Sequence, residues 1–326
     1  MNAFRIDIRI AATAIIALGV AAAAPQRAAA QGAPGGQDNC RLWSQMEAAV
    51  KAVDLKAAAA AERAIDEEPD CSRRAVEAKK AMLNVYRAQD ARMERAKAAP
   101  KDRLALLESA VRKYANKWNA WDIHVKIAEL QRKVPGKLDH AKISMAYDRA
   151  LVAIDEMPEA QRPPRAEVGR LARLVYQFEA LSDTPLKLEG KLTRTARSAG
   201  SSDRNIKVDY VPAPLQFEYD KAELTLGGKA QAQILLAQLK ARQMPDLKLV
   251  GHTDPVGSVE YNDELSLRRA AALKKFLVDN GYPANKIDIE GRGKRDVALL
   301  HIEDREEFTE VQIHQMLRRV ELKFKD

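Results

Sequence analysis

GHTDPVGSVEYNDELSLRRA, Gly251 to Ala270, is the stretch on which the fold turns. Just ahead of it Leu247 and Leu249 alternate with Lys248 and Val250, which predicts a short strand ending at Gly251. A turn from Pro255 to Gly257 then places Asp254 on a loop at the carboxyl end of the sheet, where ligands often bind. Ser258 is a natural N-cap for the helix that follows, predicted over 259 to 279 and closed by Asn280-Gly281. On that helix Asn262, Ser266 and Arg269 stand at i, i+4 and i+7 and share one face. Side chains on a helix lean toward its N-terminus, so Arg269 has the reach to swing back toward the Asp254 loop.

Working outward, a helix is predicted near 226 to 242, where Leu226, Ala230, Ile234 and Ala237 recur at helical spacing. A strand is expected around Leu215 to Tyr219, a third strand at Ile287 and Ile289, and a final one where Val320, Leu322 and Phe324 alternate with Glu321 and Lys323. The sum is a small α/β sandwich, βαβαβ plus a final strand, with helices against one face of a mixed sheet.

A carboxylate and a guanidinium set a few ångströms apart can simply pair. They can equally receive a zwitterion, Asp254 taking an ammonium and Arg269 holding a carboxylate through two parallel hydrogen bonds. The residues alone leave both readings open.

The stretch Gly251-His252-Thr253-Asp254, then Gly257, Tyr261-Asn262, Leu265-Ser266 and Arg269-Ala270, resembles the signature of OmpA-like domains, shared with peptidoglycan-associated lipoprotein and flagellar motor stator proteins. Phe217-Glu218-Tyr219-Asp220 with Leu224 resembles the family's opening strand, Gly291-Arg292-Gly293 its glycine turn, and Arg318-Arg319-Val320-Glu321 its closing strand. The resemblance implies that Asp254 and Arg269 grip the diaminopimelate of a peptidoglycan stem peptide, with Thr253, Asn262 and Asp220 lining the pocket. Departures fall at its rim. Leu317 stands where the family commonly has Asn, and Asp296-Val297-Ala298 with the acidic run Glu303 to Glu310 replaces a Pro-containing loop, which puts the preferred peptide in doubt.

The rest of the chain reads differently. At 326 residues, 46% hydrophobic and 31% charged, it is long enough for about two domains. Arg5 and Arg9, an apolar run from Ile10 to Ala24 and Ala28-Ala29-Ala30 predict a signal peptide over residues 1–30, with Arg27 close enough to the cut to leave a retained anchor as the alternative. The apolar run is short for a membrane span, and no transmembrane span is expected in the mature chain. Residues 31–39 form a turn-rich spacer. From 40 to 182 the sequence is dense in Ala, Leu, Glu, Lys and Arg and is broken by Pro69, Pro100, Pro135, Pro158 and Pro163-Pro164, which predicts an α-helical hairpin array. Ala57, Ala61, Ala64 and Pro69, and again Tyr147 to Leu151, resemble the second helix of a tetratricopeptide repeat at irregular spacing. The plain reading of those alanines is helix packing, the sharper one a concave protein-binding face. The tryptophans Trp43, Trp118 and Trp121 read as core anchors. Residues 183–209 are a polar linker, with a short hairpin from Leu186 to Thr193, before the OmpA-like domain at 210–326.

Cys40 and Cys71 form an even pair in an exported segment, which predicts a disulfide, with two buried free thiols as the bland alternative. Cys40 lacks the small apolar residues that precede a lipid-attachment cysteine. A net charge of +8 suits nucleic acid, anionic lipid or an anionic wall polymer without choosing among them. Basic and acidic residues interleave as on a solvated helix surface, and no nucleic-acid partner is expected. His124, His140, His301 and His314 are scattered without ligand spacing and His252 reads as a packing residue, so neither a metal nor a cofactor is expected. Gly227-Gly228-Lys229 lacks the glycine a phosphate loop needs. Serines lack a nucleophile-elbow context, so the chain does not read as an enzyme. The reading is a non-enzymatic peptidoglycan-binding protein of the periplasm, outer-membrane or cell-wall associated, whose helical array is a spacer or engages another envelope protein. The alternative is an envelope scaffold acting through its helical repeats, with a non-binding OmpA-like domain.

Overall fold

A computed structural model describes residues 40–114, 120–182, 210–213, 215–218, 220–296 and 301–325. The expected signal peptide and spacer, the linker at 183–209 with its hairpin, and Trp118, Tyr219 and Val297-Ala298 lie outside the described residues.

The first helices are α1 (Trp43–Ala52), α2 (Leu55–Glu67), α3 (Ala75–Arg95), α4 (Pro100–Tyr114), α5 (Trp121–Lys133), α6 (His140–Asp155) and α7 (Arg165–Ala180). Each packs on the next. Their starts follow from local chemistry: Asp54 accepts from the backbone of Lys56 and Ala57 at 2.9 and 3.0 Å, and Asp139 accepts from Lys142 at 3.1 Å. Ala58, Ala61 and Ile65 form the buried face of α2. Ala57 is exposed and Ala64 half-buried, so of the alanines read at that spacing Ala61 lies on the buried face. Tyr147, Ala150 and Leu151 are buried as helix-packing residues, while Trp43 and Trp121 are half-buried against the same core. A disulfide joins Cys40, just before α1, to Cys71 in the 3-10 turn Pro69–Arg74.

The C-terminal part contains β1 (Tyr210–Ala213), α8 (Leu226–Ala241), β2 (Leu247–Gly251), α9 (Val259–Asp279), β3 (Ile287–Gly291), α10 (Glu310–Leu317) and β4 (Val320–Phe324). The sheet order is β1-β4-β2-β3. β2 runs parallel to β3 and antiparallel to β4, and β1 pairs antiparallel with β4, so the sheet is mixed. Its core joins Leu236 and Leu239 of α8, Leu249 of β2, Leu273 and Leu277 of α9, Ile287 and Leu322. The first strand falls earlier than expected. Phe217 forms only an isolated bridge with Leu224, and the edge strand is Tyr210–Ala213. Pro212 suits that edge, because proline cannot donate to a central ladder.

The acidic run also behaves differently from a simple pocket rim. Arg132 Nη2 reaches Asp304 at 2.8 Å and Arg132 Nε reaches Glu307 at 3.2 Å. Arg173 Nε reaches Glu303 at 2.6 Å, and Gln177 exchanges two hydrogen bonds with the Glu303 backbone. Leu317 is buried with Tyr176, Ala180, Leu181, Ile313 and Met316. Leu317 and the acidic run therefore form part of the surface on which the sheet part meets α5 and α7, and Cys40–Asp326 is one compact unit. Among the described residues no helix is long and apolar enough to cross a membrane.

Candidate functional site

β2 delivers the Asp254 loop, and its exit is tied on two sides: His252 N donates to Arg319 O at 2.9 Å and Thr253 N to Gly293 O at 3.0 Å. A Cβ on Gly251 would stand 2.0 Å from Ser266 O, so glycine is what lets α9 cross this close to the strand end. Asp254 Oδ1 accepts from Val256 N at 3.0 Å, closing the turn. Ser258 Oγ then accepts from Tyr261 N at 3.1 Å as the cap of α9. Asn262 Nδ2 donates to Val256 O and Ser258 O, both at 2.8 Å, and the residue is 2% exposed. Asn262 thus fastens the loop instead of facing out of it. Ser266 Oγ accepts from Gly293 N at 2.9 Å and holds the glycine turn against the same helix face.

Arg269 is the centre of the arrangement. It is 1% exposed, its Nε donates to Lys221 O at 3.1 Å, and its guanidinium carbon lies 5.3 Å from the Phe217 ring centroid. Its Nη1 is buried without a hydrogen-bond partner. Burial first, then the neighbouring Arg318 charge, lowers the guanidinium to about 10, while Asp254, Tyr261 and Asp220 pull the other way. It remains a cation at neutral pH.

The structure gathers Asp254, Asp220 and Arg269 into one electrostatic neighbourhood, but Asp254 and Arg269 are not bonded to each other. Asp254 Oδ2 accepts instead from Arg318 Nη1 at 2.8 Å. Asp220, exposed and at φ +58°, accepts a hydrogen bond from the Tyr261 hydroxyl. Thr253 is buried, and its Oγ1 lacks a hydrogen-bond partner. Sequence reasoning did not single out Arg318, Tyr261 or Phe217 as parts of the site. The two arginines of the closing strand were a signal for Arg318, but their division of labour was not. Arg319 turns inward, donating through Nε to Glu321 at 2.9 Å, with His252 Nε2 at 3.2 Å from the same carboxylate. Burial pushes the Glu321 carboxyl up, but the His252 bond and the Arg319 charge outweigh it and hold the group below the usual range.

The site thus combines a buried, phenyl-backed guanidinium, one of whose nitrogens has no hydrogen-bond partner, with the mostly covered carboxylate of Asp254. Among the described residues no group of three or more His, Cys, Asp or Glu is placed to hold a metal ion.

The fold is a small α/β module with a mixed sheet, and comparison with known proteins gives its family: residues 216–307 match the OmpA family. The C-terminal part of this chain is an OmpA-like domain. Outer membrane protein A of Bordetella avium is 38% identical over 78 residues, covering 24% of this chain and 40% of that protein. Outer membrane protein A of Klebsiella aerogenes is 39% identical over 82 residues, covering 24% and 23%. The match thus spans well under half the length of these curated relatives. Among solved structures, the peptidoglycan-associated lipoprotein of Burkholderia pseudomallei is 24% identical with a TM-score of 0.29, covering 38% of this chain and 98% of that one. The periplasmic domain of MotB from Helicobacter pylori is 17% identical with a TM-score of 0.29, covering 36% and 73%.

Proposed function

We propose that the OmpA-like domain holds peptidoglycan without covalent chemistry, by gripping the zwitterionic end of a diaminopimelate stem peptide between Asp254 and Arg269. The observation that carries this reading is the buried guanidinium edge of Arg269, which has no hydrogen-bond partner at Nη1 and feels the charge of the Asp254 carboxylate. Buried polar groups are nearly always bonded, so such an edge is costly unless a ligand uses it. Asp220 and Thr253 complete the wall, and Asn262 acts by fixing the loop. The protein works as a binding module of the cell envelope, not as an enzyme, in the periplasm after export. The names of its relatives as outer membrane proteins support an envelope location. The helical array is a spacer or a site for another envelope protein.

Retention on purified peptidoglycan tests this. The wild-type chain should sediment with the polymer, and Asp254→Ala and Arg269→Ala should not, with thermal melting checked for each. Undiminished retention of both variants overturns the site.

One observation favours the alternative, a scaffold whose OmpA-like domain binds nothing: Arg318 already occupies Asp254. That reading predicts sedimentation no better than background, with partners recovered through residues 40–182.

A further inference from the structure

We infer that the peptide cleft continues into a cavity between α7 and the sheet part, and that the helical array thereby supplies one wall of a subsite for the residue extending the stem peptide beyond diaminopimelate. The inference rests on the function proposed above.

A cavity of about 180 Å³ lies at this junction, lined by Ala180 of α7, Leu215, Gln216, Phe217, Thr225, Gln315 and Arg318. Two of its walls are shared with the proposed grip. Arg318 bonds Asp254 at 2.8 Å, and the Phe217 ring backs Arg269 at 5.3 Å. A ligand held by both Asp254 and Arg269 therefore abuts the cavity.

The array fixes the opposite side. Gln315 Nε2 donates to Ala180 O at 2.8 Å and Gln216 Nε2 to Ser182 O at 2.6 Å, so both amides are locked by backbone carbonyls at the end of α7. Tyr176 Oη adds a bond to Met316 O at 2.6 Å, two residues before Arg318. The lining combines the Arg318 guanidinium with apolar Leu215 and Phe217 and the small residue Ala180, the two amides and the Thr225 hydroxyl being already bonded. That chemistry suits one alanine-sized residue ending in a carboxylate. Val311, one turn before Gln315, and Leu226, next to Thr225, are 73% and 87% exposed and offer apolar surface near the same elements.

The experiment is calorimetric titration of the full chain with two synthetic stem peptides, one ending at diaminopimelate and one carrying a further terminal D-alanine. The longer peptide should bind at least roughly tenfold tighter, the discrimination a small buried group provides. In Ala180→Phe the gain should vanish while the shorter peptide binds as before. Ala180→Val, a smaller intrusion, should reduce the gain and decides the matter if the phenylalanine variant does not fold. Equal affinities in the wild type, or a gain that survives in well-folded Ala180 variants, overturn the subsite while leaving the grip intact. Failure of the wild type to bind either peptide overturns the grip and the subsite together.

Discussion

In the proposed grip, Arg269 and Asp254 sit in unlike environments. Arg269 is buried and pinned by Lys221 O, so its orientation is set before a ligand arrives. Asp254 is mostly covered and bonded to Arg318, which the proposed ammonium would have to displace. Asp254→Asn keeps the shape and the Val256 turn bond but loses the charge. It should weaken binding of a diaminopimelate peptide by roughly a hundredfold, the scale of a charged hydrogen bond, while shifting the melting temperature little. Titration of that variant checks it, and unchanged affinity would remove Asp254 from the site. Ser258 belongs to the same scale: Ser258→Ala removes the cap of α9 and should cost about 1 kcal/mol in chemical denaturation. The strand end, cap and helix face around Asp254 were legible in the sequence because each rests on residues within a few turns of one another. The Arg318 partner was not, since it lies 64 positions away and no periodicity encodes that pairing.

Elements carry the next level. The disulfide from Cys40 to Cys71 closes a loop of 31 positions around α1 and α2. Its removal in Cys40→Ser/Cys71→Ser should cost about 2–4 kcal/mol, measured by urea denaturation, and indistinguishable curves would show that packing alone holds those helices. Between the two parts of the molecule, Arg132 is nearly buried against Asp304 and Glu307. Arg132→Met leaves those carboxylates without that partner, and amide exchange in α10 should rise relative to α9; equal protection in both helices would mean the contact is idle. The elements of the sheet were read at nearly their observed bounds except the first. Leu215, Phe217 and Tyr219 alternate in the sequence like a strand, yet among the described residues Phe217 closes an isolated bridge with Leu224, and the four-residue edge strand with its proline gives too weak a pattern to find. The acidic run was visible as a departure from the family pattern. Its partners on α5 and α7 lie 130 to 175 positions away and could not be seen from composition.

Across the whole molecule the junction of array and sheet also carries a pH dependence. Glu179, one residue before Ala180, is buried, and desolvation followed by the charge of Asp148 pushes its carboxyl up to about 8. A carboxyl raised above its ordinary value near 4.5 favours the fold in its protonated form. The stability it contributes is complete below that ordinary value and is lost as pH rises through about 8. Thermal melting of the wild type should therefore fall across that window. Glu179→Gln should flatten the profile, and a profile that Glu179→Gln leaves unchanged would assign the dependence elsewhere. Since the same junction lines the cavity beside Arg318, binding of extended peptides should weaken over the same range.

The central claim is that an acid and a buried base together recognise an amino group and a carboxylate on one carbon. Lysine is diaminopimelate without that second carboxylate, so the most direct measurement compares the affinities of the full chain for otherwise identical diaminopimelate and lysine stem peptides. The account predicts that the diaminopimelate peptide binds at least roughly a hundredfold tighter, because Arg269 has nothing to hold in the other. Equal affinity for the two peptides would contradict it.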